Sequence, residues 1–206
     1  MTLLGNLIMA VDELTCIASM ALNESARVKR VIADTLSADI ALLAERIIDT
    51  YRGGGRSIVF GNGGSAADAM HLSAELLGRY DRNRRPLPAL ALTADPATLT
   101  CIANDFGFEN VFERQIEAHA TRNDIAIGIT TSGRSRNIIA GLRAAKTKGC
   151  YTVALTGRDG GEVLNYADLS IVVPSESTAR IQEAHATIIH ILSEMIDQWL
   201  TSSEQQ

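Results

Sequence analysis

The stretch at residues 57–77, SIVFGNGGSAADAMHLSAELL, decides the class of fold. Its first four residues form a short apolar run that predicts a buried strand. A glycine-rich loop at residues 61–65 follows directly, and the chain then enters a predicted helix that ends near Leu77. A strand that passes through such a loop into a helix is typical of α/β proteins with parallel sheets.

The same order of strand, loop and helix recurs along the rest of the chain. Apolar runs predict further strands at residues 89–93, 125–130, 151–155 and 169–173. Helical periodicity predicts helices at residues 97–104, 111–119, 136–148 and 179–200. Because the strands show little polar alternation, both faces of the sheet are expected to be covered. We therefore predict an α/β fold with a doubly wound five-stranded parallel sheet of the flavodoxin-like kind.

Residues 1–52 are predicted to be helical and to extend this fold at its N-terminus. Apolar residues recur there at three- and four-residue steps, for example from Val28 to Ile48, and three glycines at residues 53–55 end the helix. No low-complexity linker divides the chain, so these helices and residues 53–200 are expected to form one domain. Residues 201–206 are expected to be a polar tail.

The composition excludes several classes of partner. The 206 residues carry a net charge of −5, and 46% are hydrophobic while only 4% are aromatic. Nucleic acids and anionic membranes require clustered cations, so neither is an expected partner. No apolar run reaches the roughly 18 residues that span a bilayer, and a signal peptide is not expected. Cys16, Cys101 and Cys150 form no CxxC pattern and are expected to be reduced thiols of a cytoplasmic protein.

One short basic run, interrupted by Asp81, stands out against the acidic charge. It contains Arg79, Arg82, Arg84 and Arg85. We interpret it as a solvated loop, with a substrate or subunit contact as the alternative.

Two of the loops that follow predicted strands are suited to an anion. At residues 61–65 the glycines let backbone N–H groups approach a ligand, and Ser65 offers a hydroxyl where a helix begins. At residues 130–135 four of six residues carry hydroxyls around a single glycine, again just before a helix. Ligands bind beyond the carboxyl ends of parallel strands. The two loops together therefore predict a phosphorylated ligand, although each alone also fits an ordinary capped turn.

The spacing Gly61-x-Gly63-x-x-Ala66 is also compatible with a dinucleotide-binding loop, but the match is incomplete. The acidic residue expected about 20 positions later is absent, since a basic run occupies that region and Asp95 comes late. The phosphate-loop motif that ends in Gly-Lys-Ser/Thr is absent as well, which argues against a nucleotide triphosphatase.

Polar residues interrupt two helices that are otherwise apolar. His71 and Glu75 lie four residues apart, which places them on one helix face with room to share a ligand. His190 lies in the run IIHIL at residues 188–192, the most apolar surroundings of any histidine in the sequence. Periodicity places Glu183 about 20° and Gln182 about 80° from His190 on the helix wheel, so spacing favours Glu183 as its partner. Each group alone is more often structural, and spacing does not show whether the two helices meet.

Together these segments resemble the sugar isomerase (SIS) domain of phosphoheptose isomerases. The similar segments are residues 61–71 with Glu75, Gly78 and Arg79, residues 102–107, 131–135 and 155–157, Gly160 with Gly161, and residues 178–183 with His185 and His190. They extend from about residue 57 to 195, and the predicted N-terminal helices also fit the family. The combination is highly specific, although no single loop is.

The resemblance implies an aldose–ketose isomerase. The reaction would convert sedoheptulose 7-phosphate, a phosphorylated seven-carbon sugar, to D-glycero-D-manno-heptose 7-phosphate. This product leads to the nucleotide-heptose precursors of bacterial surface polysaccharides, including lipopolysaccharide. The resemblance also implies a cytoplasmic homotetramer with active sites at subunit interfaces, to which the N-terminal helices contribute.

The resemblance also implies the site residues and one zinc ion per subunit. The implied zinc ligands are His71, Glu75, Gln182 and His190, so it is resemblance and not spacing that selects Gln182 over Glu183. The residues implied to contact the sugar are Asn62, Gly63, Gly64, Ser65, Glu75, Asn104, Asp105 and Gln182. The residues implied to hold the phosphate are Thr130, Thr131, Ser132 and Ser135.

Two positions depart from the family pattern. Thr130 stands where Ser is frequent and keeps the hydroxyl, so a mild effect is expected. Arg134 stands where Asn is common, and it either adds a cation near the phosphate or points to solvent.

An aldose–ketose isomerase moves a proton between C1 and C2 through an enediol(ate), which requires a base and an acid. Glu75 is expected to be the base, and His190 is expected to move protons at oxygen. A zinc-bound carboxylate is a poorer base, so ligation and basicity compete at Glu75. The alternative is a non-enzymatic SIS-domain regulator that binds a replication initiator protein. Such regulators lack the acid–base pair, so the presence of Glu75 and His190 favours an enzyme.

Overall fold

The computed structural model describes residues 11–203 and has a five-stranded parallel sheet at its centre. The strands are β1 (Ser57–Gly61), β2 (Ala89–Ala91), β3 (Ile125–Ile129), β4 (Tyr151–Gly157) and β5 (Leu169–Val173). Their order in the sheet is β2-β1-β3-β4-β5, so the direction of winding reverses between β1 and β3. The predicted α/β fold with a doubly wound five-stranded parallel sheet is confirmed.

Seven α-helices flank this sheet within residues 11–203. They are α1 (Val11–Thr35), α2 (Ser37–Arg52), α3 (Gly64–Leu77), α4 (Pro96–Phe106), α5 (Glu113–His119), α6 (Arg136–Thr147) and α7 (Thr178–Ser203). Two 3-10 segments, Phe108–Asn110 and Glu162–Tyr166, were not predicted. The start of the predicted tail continues α7 as far as Ser203, whereas residues 1–10 and 204–206 lie outside the described residues.

Strand β4 is two residues longer than its apolar run. Thr156 and Gly157 still pair with Val172 and Val173 of β5. A threonine and a glycine carry little apolar signal, so the pattern of hydrophobic residues could not show this extension.

Each face of the sheet has its own apolar core. In β3, Ile125, Ile127 and Ile129 pack with α2, α3 and α7, whereas Ala126 packs with α5 and α6 on the opposite face. Every residue of β3 is buried, which explains why its sequence shows no polar alternation. The first core places α3 and α7 side by side, since Leu72, Leu76 and Ile189 are fully buried in it.

The N-terminal helices share the first of these cores. Leu43 and Ile47 of α2 are fully buried, and Val28 of α1 is 1% exposed. The first part of α1 differs, because every residue from 11 to 20 is exposed. Its large apolar side chains are Val11, Leu14, Ile17 and Met20. They form an apolar stretch that nothing within the described residues covers.

The basic run at residues 79–85 differs from the predicted solvated loop. Arg79, Arg82 and Arg85 are exposed, but the side chain of Arg84 is only 1% exposed and pairs with Asp197 of α7. The interpretation is therefore wrong for Arg84, because its partner Asp197 lies 113 residues away along the chain and local charge does not reveal it.

Cys16, Cys101 and Cys150, all within the described residues, are unpaired. None of the helices found between residues 11 and 203 is both long enough and apolar enough to cross a membrane.

Candidate active site

The carboxyl ends of β1 and β3 lie side by side, since Gly61 is in register with Ile129. The winding of the sheet reverses here, and ligands of doubly wound sheets bind at this position. Two hydrogen bonds join the segments that follow these strands. Asn62 Nδ2 donates to Asn137 Oδ1 at 2.8 Å, and Asn137 Nδ2 donates to Asn62 Oδ1 at 2.9 Å. The first loop is therefore linked directly to the first turn of α6, the helix that the second loop enters.

The first loop enters α3 through a backbone that favours glycine. Gly63 has a φ of 56°, in the left-handed region. Gly64 is the first residue of α3, and a Cβ at this position would lie 2.4 Å from Nε2 of Gln182. Ser65 is buried at 3% exposure. The absence of a side chain at Gly64 lets the amide of Gln182, on α7, approach the N-terminus of α3.

The second loop gathers hydroxyl groups before α6. Thr130 is buried, and its hydroxyl lies 3.3 Å from the hydroxyl of Ser135. Ser132 Oγ accepts a hydrogen bond from the backbone N–H of Arg134 at 3.3 Å, and Thr131 is half-buried beside it. Hydroxyls and backbone N–H groups at the start of a helix are suited to binding an anion without a cationic side chain.

The loop that follows β4 packs against this second loop. A Cβ on Gly133 would lie 1.8 Å from the carbonyl oxygen of Gly160, and the φ of Gly133 is 65°. The backbone N–H of Val163 donates to the carbonyl of Gly133 at 3.0 Å. Only glycine permits this close approach of two backbones, and the contact fixes the position of the hydroxyl groups.

His71 and Glu75 of α3 meet His190 of α7. Nε2 of His71 lies 3.2 Å from Oε1 of Glu75 and 3.1 Å from Nε2 of His190. The two imidazole rings are nearly perpendicular, with centroids 4.8 Å apart. His71 and Glu75 are half-buried while His190 is exposed, so the cluster is open to solvent on one side. The structure thus brings together three of the four residues of the implied zinc set.

The chemistry and spacing of this cluster suit a zinc ion. Imidazole nitrogens and carboxylate oxygens bind zinc at about 2.0–2.2 Å, so the ligand atoms of a tetrahedral ion lie about 3.4 Å apart. The distances of 3.2 Å and 3.1 Å around His71 are close to this separation, and all three ligand atoms lie within 4.8 Å of one another. Three protein ligands with an open fourth position are typical of catalytic zinc sites.

The structure places Gln182 and Glu183 in different surroundings. Glu183 Oε1 pairs with Arg180 Nη2 at 2.6 Å on the same helix, whereas the amide of Gln182 faces Gly64. The spacing argument for Glu183 as the partner of His190 is wrong, because the cluster around His190 contains His71 and Glu75 but not Glu183. Gln182 borders the first loop, roughly 10 Å along α3 from His71.

Asn104 and Asp105 contact each other at the end of α4. Both are exposed near the end of α4, and Asn104 Nδ2 donates to Asp105 Oδ1 at 2.7 Å. Within residues 11–203 no side-chain hydrogen bond joins either residue to the two loops or to the histidine cluster.

Three residues beside the site were not predicted. Burial raises the pKa of Asp68 to about 6, against the opposing charge of His71, and its buried Oδ2 has no hydrogen-bond partner among the described residues. The ring of Tyr80 lies 5.8 Å from the ring of His190, and Asn137 holds Asn62 as described above. The three-residue spacing of Asp68 and His71 was a usable signal, whereas Tyr80 lies outside any periodic segment.

The side chain of Arg134 is 56% exposed, as one of the two alternatives expected, but it is paired with Asp159. It donates to both carboxylate oxygens of Asp159, at 2.9 Å and 2.5 Å, and to the carbonyl of Ser132 at 3.1 Å. The hydrogen bond from Arg134 holds the pKa of Asp159 below its usual value. The ion pair therefore neutralises Arg134 beside the second loop.

Comparison with known proteins defines the class. A model of the SIS domain family matches residues 22–157, so the chain belongs to this family. A phosphoheptose isomerase of Aquifex aeolicus (strain VF5) is 49% identical over 175 residues, which cover 85% of this chain and 92% of that protein.

Two solved structures agree with this relationship. The phosphoheptose isomerase from Neisseria gonorrhoeae superimposes with a TM-score of 0.86 at 38% identity, covering 90% of this chain and 99% of that one. The phosphoheptose isomerase from Francisella tularensis gives a TM-score of 0.87 at 38% identity, covering 92% and 100%. Within the SIS family the chain belongs with the phosphoheptose isomerases, and it is an isomerase. The alternative of a non-enzymatic regulator is not supported.

Proposed function

We propose that this isomerase converts sedoheptulose 7-phosphate to D-glycero-D-manno-heptose 7-phosphate. The observation that carries the proposal is that both kinds of group needed for the reaction are connected to the segments after β1 and β3. Asn62 and Asn137 join the first loop to the first turn of α6, which follows the hydroxyl-rich loop. The helix α3 begins at the first loop and carries His71 and Glu75. The hydroxyl-rich loop suits a phosphate, and α3 offers acid–base groups.

The phosphate is proposed to bind the second loop. Thr130, Thr131, Ser132 and Ser135 supply the hydroxyls, and the N-terminus of α6 supplies backbone N–H groups and a favourable dipole. Asn62, Gly63, Gly64 and Ser65 are proposed to line the sugar, together with Asn104, Asp105 and Gln182. A phosphate fixed at one end of a seven-carbon chain leaves C1 and C2 at the other end, toward the histidine cluster.

Proton transfer is proposed to use Glu75 and His190. The Glu75 carboxylate removes a proton from C1, the electrons of that C–H bond form the C1–C2 double bond, and the π electrons of the C2 carbonyl move onto O2 to give the enediol(ate). His190 gives a proton to O2 and takes the hydroxyl proton from O1. The electrons left on O1 form the C1 carbonyl, and the electrons of the C1–C2 double bond take the proton back at C2, which completes the aldose. The contact between His71 and Glu75 at 3.2 Å orients the carboxylate for this role.

The proposed cofactor is one zinc ion per subunit, held by His71, Glu75, Gln182 and His190. When bound, it would supply Lewis-acid stabilisation of negative charge that develops on the substrate oxygens. Gln182 would have to turn its amide from Gly64 to join the other three, so we assign it a shared role between sugar and metal.

The proposed assembly is a cytoplasmic homotetramer with active sites at subunit interfaces, producing heptose for bacterial surface polysaccharides. The exposed apolar stretch of α1 supports association, because an uncovered apolar helix face favours a partner. Three unpaired cysteines fit a reducing compartment.

The proposal is tested by incubating the protein with sedoheptulose 7-phosphate and following the aldose product, before and after chelation and with zinc restored. We expect conversion that the chelator abolishes and zinc recovers. Absence of conversion in all three conditions would refute the substrate assignment, and conversion that resists complete zinc removal would refute the cofactor.

A further inference from the structure

Arg84 and Asp197 form a buried ion pair between the loop after α3 and the helix α7. Arg84 Nε lies 2.5 Å from Asp197 Oδ1, and the two side chains are 1% and 2% exposed. The other carboxylate oxygen of Asp197 accepts the backbone N–H groups of Asp81 and Arg82, at 3.0 Å and 3.1 Å. Both oxygens of the Asp197 carboxylate therefore accept hydrogen bonds from the loop that contains Arg84.

The guanidinium of Arg84 also binds the C-terminal turn of α3. It donates to the carbonyl of Glu75 at 2.6 Å and to the carbonyl of Leu76 at 2.9 Å. Carbonyl groups in the last turn of a helix lack partners within the helix, so Arg84 satisfies two of them. One of the two belongs to the residue whose carboxylate contacts His71.

Asp197 connects the C-terminal turn of α3 to the part of α7 that carries His190. It lies seven residues after His190, which is about two helical turns, and so shares nearly the same face of α7. The connection therefore runs from the backbone of Glu75 through Arg84 and Asp197 to the helix face that presents His190. Arg84 is a buried polar link between two helices that also meet through apolar packing and through the pair of His71 and His190.

A buried ion pair is a poor device for stability alone, since an apolar pair of similar volume often stabilises a protein as well or better. The forked geometry of arginine, which binds a carboxylate and two carbonyls at once, offers instead a defined orientation. We infer that Arg84 and Asp197 are positioning residues that set Glu75 against His190 in the cluster. This inference rests on the proposed function for the zinc-binding role of that cluster.

The test replaces the pair with two methionines, Arg84→Met with Asp197→Met, in the full-length protein. An apolar pair is expected to preserve the folded state, as judged by thermal unfolding, but it cannot hold the carbonyl of Glu75. Zinc affinity, measured by competition with a chromophoric chelator, is expected to fall about tenfold or more, as for other residues that orient metal ligands. The ratio kcat/KM is expected to fall mainly through kcat.

Two controls separate positioning from general destabilisation. Arg85→Met removes an exposed cation from the same loop, and Ile116→Ala opens the core on the opposite face of the sheet. Both are expected to keep the zinc affinity of the unaltered protein. Arg84→Lys provides a second variant if the methionine pair does not fold, because it keeps a cation beside Asp197 without the forked donors.

The inference is overturned if zinc affinity in the folded variant falls by less than about tenfold, or if Ile116→Ala lowers it equally. If the unaltered protein neither binds zinc nor converts the sugar, it is the proposed function that fails. If the unaltered protein binds zinc and converts the sugar, and the variants at Arg84 keep its zinc affinity, only the positioning role is contradicted.

Discussion

The Nε2 atoms of His71 and His190 lie 3.1 Å apart, although the two residues belong to different helices and are 119 positions apart in the chain. A hydrogen bond between two imidazole nitrogens requires that one donates and the other accepts, so one of the two Nε2 atoms supplies the hydrogen of this contact. Neutral imidazole is also the form that binds zinc. The contact between His71 and His190 therefore suits both metal binding and proton transfer at these two residues.

Gly64→Ala is predicted to impair the site without harming the fold. Alanine is a better helix former than glycine, so thermal stability should be unchanged or higher. The added Cβ would lie 2.4 Å from Nε2 of Gln182 and displace that amide. Because Gln182 and Gly64 are both proposed to contact the sugar, we expect KM for the phosphosugar to rise by about 2–10-fold, as for the loss of one hydrogen bond.

The control for Gly64→Ala is a double-mutant cycle with Gln182→Ala. If the glycine acts through the amide, KM of the double variant is no higher than KM of Gln182→Ala alone. Effects on KM that simply add would contradict this account.

Asn137→Asp is predicted to weaken the link between the first loop and the first turn of α6. A carboxylate cannot donate to Oδ1 of Asn62, so one of the two reciprocal hydrogen bonds is lost and two oxygens face each other. We expect stability to fall by about 1–3 kcal/mol and KM for the phosphosugar to rise. Urea unfolding and steady-state kinetics check this, with Asn165→Asp as the control because Asn165 is exposed. Equal effects of the two substitutions would refute it.

Arg134→Asn is predicted to change KM less than Asn137→Asp does, since Asp159 already neutralises the guanidinium. Asp159→Asn is the more informative change, because it leaves a free cation beside the phosphate loop. We expect it to lower KM at low ionic strength and to lose this effect at high salt. A KM that is independent of salt in this variant would show that Arg134 does not reach the phosphate.

Acid sensitivity is predicted to come in part from His185. Burial lowers the pKa of this histidine to about 4, and Nε2 lies 3.2 Å from the carbonyl oxygen of Thr156. Its unfolded-state pKa is about 6.5, so the unfolded chain takes up the proton first. The contribution of His185 to stability is therefore complete above pH 6.5 and is lost as the pH falls toward 4.

Between pH 7 and pH 5 this loss should be about 2 kcal/mol. Urea unfolding at one protein concentration measures it, with His185→Gln as the comparison. The variant should be less stable at pH 7 but should lose less stability on acidification. A variant with the same pH dependence as the unaltered protein would exclude His185 as the source.

The sequence predicts the fold of this protein better than it predicts the contacts within the site. The strands of the sheet were predictable because residues such as Ile125, Ile127 and Ile129 are buried on a sheet covered on both faces, which leaves a continuous apolar run. His190 of α7 was also noticeable from the sequence, because it is a polar residue inside an apolar run.

The tertiary relationships were not available from local patterns. Periodicity placed Glu183 closer than Gln182 to His190, but the ion pair of Glu183 with Arg180 and the approach of Gln182 to Gly64 depend on side-chain contacts. Arg84 belonged to a basic run, and its burial depends on a partner 113 residues away. Such contacts arise from the packing of α3 on α7, which spacing within either helix does not encode.

The most direct test of the central claim is the conversion of sedoheptulose 7-phosphate by the unaltered protein and by Glu75→Gln, followed by NMR in deuterated water. The account predicts that the unaltered protein forms the aldose and exchanges carbon-bound hydrogen with solvent. The Glu75→Gln variant should keep its assembly and phosphate binding but do neither. Continued conversion by this variant would contradict the assignment of Glu75 as the base.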